Sequence, residues 1–258
     1  MRAAIVVRPS PRIERAVPIP GESGAIFARA IEQHDVLVRT LRYFGVEVSA
    51  IDAFGDDPYR AAVAETAVLF ESGAVLMRPT SMSRRVEADR IAAEFAKLDV
   101  PLAGRIAAPG LLDGTDVLLA GTTAFVGVGR RGNAIGRAGF AELARAHGYD
   151  VVEVALAPDV PALRSVASAV APDTIVLARE KLDIAAFEGF RTIALEPGEE
   201  SGAGVLCIGE LHVIADLRYR TALQRMRRSG ISVEGLDLYE YEKVGIVPSM
   251  LVLPLRRD

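Results

Sequence analysis

Apolar positions along the chain switch repeatedly between two periods. Runs with apolar residues three and four apart, the spacing of one helix face, end at a tight stop and give way to a short continuous apolar strand. Five copies of this phrase can be read: Leu41–Val48, Phe95–Leu102, Leu143–Val152, Phe187–Ile193 and Met226–Val233. Their stops are Gly45, Asp99, Gly148, Gly189 and Gly230, where the residue past a helix often needs a left-handed backbone. The stops recur roughly every forty to fifty residues, a period that points to a pseudo-symmetric array. Between the phrases lie hairpins. Thr66–Phe70 and Ala74–Met77 flank Glu71-Ser-Gly73, Asp116–Ala120 and Ala124–Val128 flank Gly121-Thr-Thr, and Val205–Ile208 and His212–Ala215 flank Gly209-Glu-Leu. Thr174–Leu177 stands in the same place in the fourth copy with a less clear partner. The fifth copy has no following hairpin unless Met250–Leu253 returns to Ala3–Val7. That return would make a ring of five strand–strand–helix–strand units, whose strand ends converge on one central concave site. No long polar linker interrupts the series, so residues 1–258 are expected to form a single domain. The same alternation would also suit a doubly wound α/β sheet.

Composition narrows the class. Half of the 258 residues are hydrophobic but only 6% are aromatic, with no Trp, so Val, Leu, Ile and Ala must build the core. A net charge of −4 without like-charge blocks gives no reason to expect a nucleic-acid surface. The lone Cys207 excludes an intramolecular disulfide framework and fits a reducing compartment. Met1–Pro9 is too short and too soon interrupted for a signal peptide, and no apolar run reaches the ~20 residues that span a bilayer. The expectation is a cytoplasmic protein with no membrane partner; self-association is left open.

Several motifs could carry chemistry. Gly127-Val-Gly129-Arg-Arg-Gly132 has G-x-G-x-x-G spacing, follows a strand and precedes a helical run at about 134–147, with Glu153 beyond it. A dinucleotide site would use that spacing. Its place in the third of five similar units favours a glycine cluster at a hairpin end. Leu112-Asp113-Gly114-Thr115-Asp116 is a turn with two carboxylates able to orient a base or hold a cation. Ser83-Arg84-Arg85 opens a helix, with Ser83 as its expected N-cap. Arginine in a first turn opposes the helix dipole unless it has an anionic partner, and Arg85 with Arg131 could clamp a carboxylate. His34, His147 and His212 lack the spacing of metal ligands, His34 reads as structural, and Cys207 reads as a buried inert thiol.

Taken in order, these segments resemble the dimethylarginine dimethylaminohydrolase branch of the amidinotransferase (pentein) family. The likeness covers nearly the whole chain. It rests on Arg8-Pro-Ser10, Ala67-Val68 after an acid, Met77-Arg-Pro79 followed by Ser83-Arg-Arg85, and Pro109–Leu118. It continues through Phe125-Val-Gly127, Arg131, Asn133, Gly148-Tyr149, Phe187–Phe190 and Glu242–Gly245. The resemblance implies a five-bladed β/α propeller, and no cofactor or metal is expected. It also implies a cysteine nucleophile that attacks a guanidinium carbon, a histidine acid/base, a carboxylate orienting that histidine, acids gripping the substrate nitrogens and arginines holding its carboxylate. Asp113 matches the orienting acid, Arg85 and Arg131 the carboxylate-binding arginines, and Glu65 one acidic position.

Other positions depart from the family pattern. The histidine position reads Ala162, the cysteine position Met250 (Ser249 with a one-residue slip), and the nitrogen-gripping acids read Tyr59 and Ala64. Methionine forms no thiolate, and Ser249 has no evident base. The expected function is a dimethylargininase-like protein degenerate for guanidino hydrolysis that binds a small carboxylate or amino-acid-like ligand. The alternatives are altered chemistry in the same pocket, with Asp113, Glu65, Tyr59 or Ser249 in new roles, and a non-enzymatic interaction scaffold.

Overall fold

Residues 1–52 and 54–256 are described by the structure, a computed structural model, with the side chain of residue 256 left aside. Among them fifteen strands form five separate three-stranded sheets on one plan. The first sheet holds β1 (Ala3–Val7), β2 (Glu47–Ile51) and the last strand of the chain. The second holds β3 (Ala67–Phe70), β4 (Gly73–Leu76) and β5 (Leu102–Arg105). The third holds β6 (Val117–Ala120), β7 (Thr123–Val128) and β8 (Asp150–Ala155). The fourth holds β9 (Ala167–Ala171), β10 (Thr174–Leu177) and β11 (Arg191–Ala194), and the fifth β12 (Leu206–Gly209), β13 (His212–Asp216) and β14 (Ser232–Leu236). β15 (Val252–Arg256) runs antiparallel to β1, with Ile5 opposite Leu253 and Val6 opposite Val252, so the chain's two ends complete one sheet. In each sheet the middle strand is antiparallel to its neighbour on one side and parallel to the strand on the other.

A parallel pair needs a crossover, and helices supply it. These are α1 (Phe27–Tyr43), α2 (Met82–Lys97), α3 (Ala134–Ala146) and, in the fifth unit, Arg220–Arg228. All five stops adopt positive φ, from 53° at Asp99 to 89° at Gly230, the conformation that lets the chain leave the crossover and enter the parallel strand. The fourth unit departs from its reading. Its crossover is two short 3₁₀ turns, Arg179–Lys181 and Ile184–Phe187, in place of a multi-turn helix. The partner strand that was hard to see is β9, Ala-Ser-Ala-Val-Ala. In the second unit Ser81, not Ser83, precedes the first turn of α2, and Ser83 lies inside the helix.

Strands buried on both faces read as unbroken apolar runs, and here alternate residues serve different neighbours. On β3, Val68 and Phe70 pack toward the third sheet, whereas Ala67 and Leu69 pack toward the first. On β6, Val117 and Leu119 face the second sheet and Leu118 and Ala120 the fourth. Val170 and Val176 meet Val213 and Ala215 between the fourth and fifth sheets. Leu206, Ile208 and Ile214 of the fifth sheet meet Ala4, Val6 and Val252 of the first. The Met1 ammonium adds a 2.9 Å hydrogen bond to the Ile208 carbonyl. The apolar contacts therefore run from sheet to sheet and return to the start, unlike the single open sheet of a doubly wound fold. No helix among the described residues is long and apolar enough to cross a membrane.

Candidate functional site

A cavity of about 410 Å³ is lined by Asp57, Pro58, Tyr59, Glu65, Thr80, Ser81, Arg84, Asp113, Arg130, Arg131 and Pro161. Its floor depends on one close approach. Glu65 ends the 3₁₀ turn Val63–Glu65, and Asp113 precedes the turn Gly114–Asp116. A Cβ on Gly114 would lie 2.2 Å from the Ala64 carbonyl oxygen and 3.0 Å from that of Ala67, so only glycine lets these turns touch. Two carboxylates from different units thereby share one buried wall, each side chain no more than 4% exposed.

Guanidinium groups complete that wall. Arg131, in the loop between β7 and α3, donates through Nη1 to Glu65 Oε1 and, at 3.2 Å, to Asp113 Oδ2. Arg84 donates from Nε to Glu65 Oε2 at 3.0 Å and from Nη2 to the Ala62 carbonyl at 2.7 Å, while Nη1 lies 2.5 Å from Glu87 Oε2. Asp113 Oδ1 accepts from the Thr80 backbone N–H at 2.7 Å and from its hydroxyl at 3.2 Å. Asp57 accepts from Tyr59 N, Ser81 Oγ and Ser83 Oγ. Every carboxylate oxygen lining the cavity thus already has a donor. Donors, by contrast, are in surplus. Nε and Nη2 of Arg131 carry no hydrogen bond from the described residues, nor does the exposed Arg130 guanidinium at the mouth.

Burial sets the protonation of this wall. Desolvation, reinforced by the Glu65 charge, raises Asp113 to about 6 against the pull of Arg131 and Thr80. Asp116 behind it, whose Oδ1 accepts from Leu163 N at 2.8 Å, is pushed by burial to about 7. Burial works against the Arg131 charge, but Glu65 and Asp113 outweigh it and hold that guanidinium above its ordinary range.

The structure brings together some of the residues singled out in the sequence and separates others. Glu65, Asp113, Arg131 and Tyr59 border the cavity; Tyr59 Oη also accepts from Val17 N at 2.9 Å. Arg85 does not. Its Nε and Nη2 donate to the carbonyls of Pro79 (2.9 Å) and Thr80 (3.0 Å), which steadies the loop that holds Asp113. Arg84, on the face of α2 shared with Ala88, Ile91 and Phe95, lines the cavity together with Arg131, whereas Arg85 is turned to the Pro79–Thr80 backbone. Ala64 is fully buried beside it.

Ala162 and Met250, 0% and 1% exposed, lie in one apolar cluster between the fifth and first sheets, off the cavity wall. Ser249 is buried as well. Its Oγ donates to the Arg164 carbonyl at 3.2 Å, and its own carbonyl accepts from Arg164 Nη2. Neither Cys207 nor any histidine lines the cavity. Cys207 is half-buried, its thiol 3.1 Å from the Gly209 carbonyl, and His34 is buried in α1, where desolvation lowers it to about 4. The glycine-rich 127–132 stretch is strand end and turn. The N-terminus of α3 is closed by Asn133 Oδ1, which accepts from Gly136 N and Leu111 N, and by Leu111, whose carbonyl oxygen would sit 2.1 Å from a Cβ on Gly136. No pyrophosphate could reach those amides.

Sequence reasoning did not single out Asp57, Arg130 or the cavity-facing role of Arg84. The apolar stripe of α2 held the signal for Arg84. Asp57 and Arg130 sit in loops with no periodic signal.

No protein-family model matches the chain. It is 30% identical to an N(G),N(G)-dimethylarginine dimethylaminohydrolase of Streptomyces coelicolor, over 99% of this chain and 97% of that protein. Its fold is that of the dimethylarginine dimethylaminohydrolase of Pseudomonas aeruginosa, solved as a cysteine-to-serine mutant complexed with citrulline. That likeness has a TM-score of 0.87 at 22% identity and covers 98% of both chains. An amidinotransferase from Microseira wollei shares the fold at 12% identity, with a TM-score of 0.82 over 100% of this chain and 94% of that one.

Proposed function

The chain belongs to the dimethylarginine dimethylaminohydrolase branch of the amidinotransferase family, and from that premise we propose that it binds a small carboxylate or amino-acid-like ligand without hydrolysing guanidino groups. One observation carries this reading: the cavity offers unpaired guanidinium donors and neither a thiol nor an imidazole. A carboxylate docks on the free Nε–Nη2 edge of Arg131, where two parallel hydrogen bonds suit a planar anion, and Arg130 adds charge at the mouth. The acids gripping Nη1 fix the orientation of that edge before the ligand arrives. Asp113 acts here as a positioning group, since no histidine stands beside it to be oriented.

Support for the loss of hydrolysis is chemical. Attack on a guanidinium carbon needs an activated nucleophile and a proton carrier within reach. Met250 and Ala162 supply neither from an apolar cluster, and the Ser249 hydroxyl spends its proton on a backbone carbonyl. The P. aeruginosa relative was crystallised with citrulline, itself an amino acid with a free carboxylate. A thermal-shift series with acetate, glycine, ornithine and citrulline tests the reading, repeated on Arg131→Ala and Arg130→Ala. Stabilisation by carboxylates that Arg131→Ala abolishes and Arg130→Ala weakens is the expected result. Equal melting temperatures with and without every carboxylate would refute it.

A further inference from the structure

The contacts of Arg131 carry more than the orientation of its outer edge. Glu65 and Asp113 come from different units and converge on one nitrogen, Nη1, while the second oxygen of Glu65 is taken by Arg84 and that of Asp113 by Thr80. Two buried carboxylates facing one guanidinium make a guanidinium-binding site, and here the chain fills that site itself. We infer that Arg131 serves as a built-in guanidinium ligand, so that the cavity refuses guanidino compounds and accepts small anions that lack a guanidinium. The inference deepens the carboxylate-binding reading and rests on it for the ligand class.

Competition sets the strength of this exclusion. A tethered group holds its site at an effective concentration of about millimolar or higher. A free guanidinium must exceed that level and also strand a cation that the two acids hold above its ordinary range. An anion meets the opposite balance: it displaces no protein group and finds donors already turned toward it.

Truncating Arg131 should therefore invert the preference. Glu65 and Asp113 would lose a shared partner, and the vacated space matches the head group removed. The test is binding of methylguanidinium, followed by melting temperature and calorimetry, to the native chain, to Arg131→Ala and to Arg131→Ala/Glu65→Gln. The native protein should show no response up to millimolar concentration, Arg131→Ala should bind at least about tenfold more tightly, and the double variant should lose most of that gain. If Arg131→Ala does not fold alone, methylguanidinium should restore its folding, and failure to do so overturns the inference. On the native protein, acetate should move the Arg131 side-chain N–H resonances and methylguanidinium should leave them in place. Methylguanidinium binding as tightly to the native chain as to Arg131→Ala would overturn it. Acetate without effect on the native chain, together with methylguanidinium gained by Arg131→Ala, would remove the carboxylate reading and leave the internal-ligand role of Arg131 standing.

Discussion

Replacing Arg84 by methionine keeps the apolar stem and removes the charge beneath the cavity floor. Arg84 is 1% exposed and is held by Glu65, Glu87 and the Ala62 carbonyl, so the change strands two buried carboxylates and one carbonyl. Breaking a buried ion pair from one side costs roughly 3–5 kcal/mol. Glu65 keeps Arg131, so most of the loss falls on Glu87. Burial already raises Glu87 to about 7 and the Arg84 charge opposes that rise, so removing Arg84 pushes it higher. Protonation gives Glu87 an escape at lower pH, worth about 1.4 kcal/mol per pH unit below its new value. Urea unfolding of the native chain and Arg84→Met should thus show a loss of roughly 3–5 kcal/mol at pH 8 and about 1–2 kcal/mol less at pH 6. A loss below about 1 kcal/mol at both values, or a larger loss at the lower pH, would refute the argument that Arg84 is an obligatory counter-charge.

Three further outcomes follow from the same physics. Glu242, Asp116 and Glu87 are raised by burial to about 8, 7 and 7, so they bind protons in the folded chain that the unfolded chain has released. Their contribution to stability is complete below the ordinary carboxylate range and is lost as pH rises through 7 to 8. His34, lowered to about 4, acts oppositely but contributes a constant amount above its ordinary value of 6.5. Unfolding free energy should then fall from pH 6.5 to pH 8.5, by up to about 1.4 kcal/mol per pH unit for each titrating group, and Glu242→Gln should flatten the slope; a rise across that window would contradict the assignment. Gly114→Ala places a methyl group 2.2 Å from the Ala64 oxygen, and it should lower stability by roughly 2 kcal/mol or more and abolish carboxylate-induced stabilisation by parting Glu65 from Asp113. Met250→Ala should cost roughly 2–5 kcal/mol in urea unfolding, as expected of a residue filling an apolar cluster, and a cost near zero would show that the side chain does not serve as core.

Much of the architecture is written in local pattern. Each parallel strand begins at a left-handed stop that only glycine adopts cheaply, or in one case Asp99, and those five stops expose the five units before any contact is known. The closing strand, Val252–Arg256, shows as the end of an apolar run, Met250–Leu253, at the far end of the chain from its partner. β9 escapes notice because Ala167-Ser-Ala-Val-Ala171 is built of small residues, which mark neither period. The fourth crossover escapes because 3₁₀ turns carry no amphipathic signature.

The site was legible as residue types more than as partnerships. Asp113 can be named from its turn, Arg131 from its charge beside the glycine cluster and Glu65 from the family resemblance, yet nothing local says that Arg131 lies across both acids. That contact depends on Gly114 bringing two units together. The choice between Arg84 and Arg85 was open to inspection, since Ala88, Ile91 and Phe95 fix which face of α2 is buried and Arg84 shares it.

The central claim concerns chemistry that the cavity lacks, and citrulline release from dimethylarginine addresses it most directly. Concentrated protein incubated with the methylated arginine, with citrulline quantified by mass spectrometry, should yield no more than a protein-free control. Release that scales with protein concentration and disappears in Asp113→Asn would contradict the account.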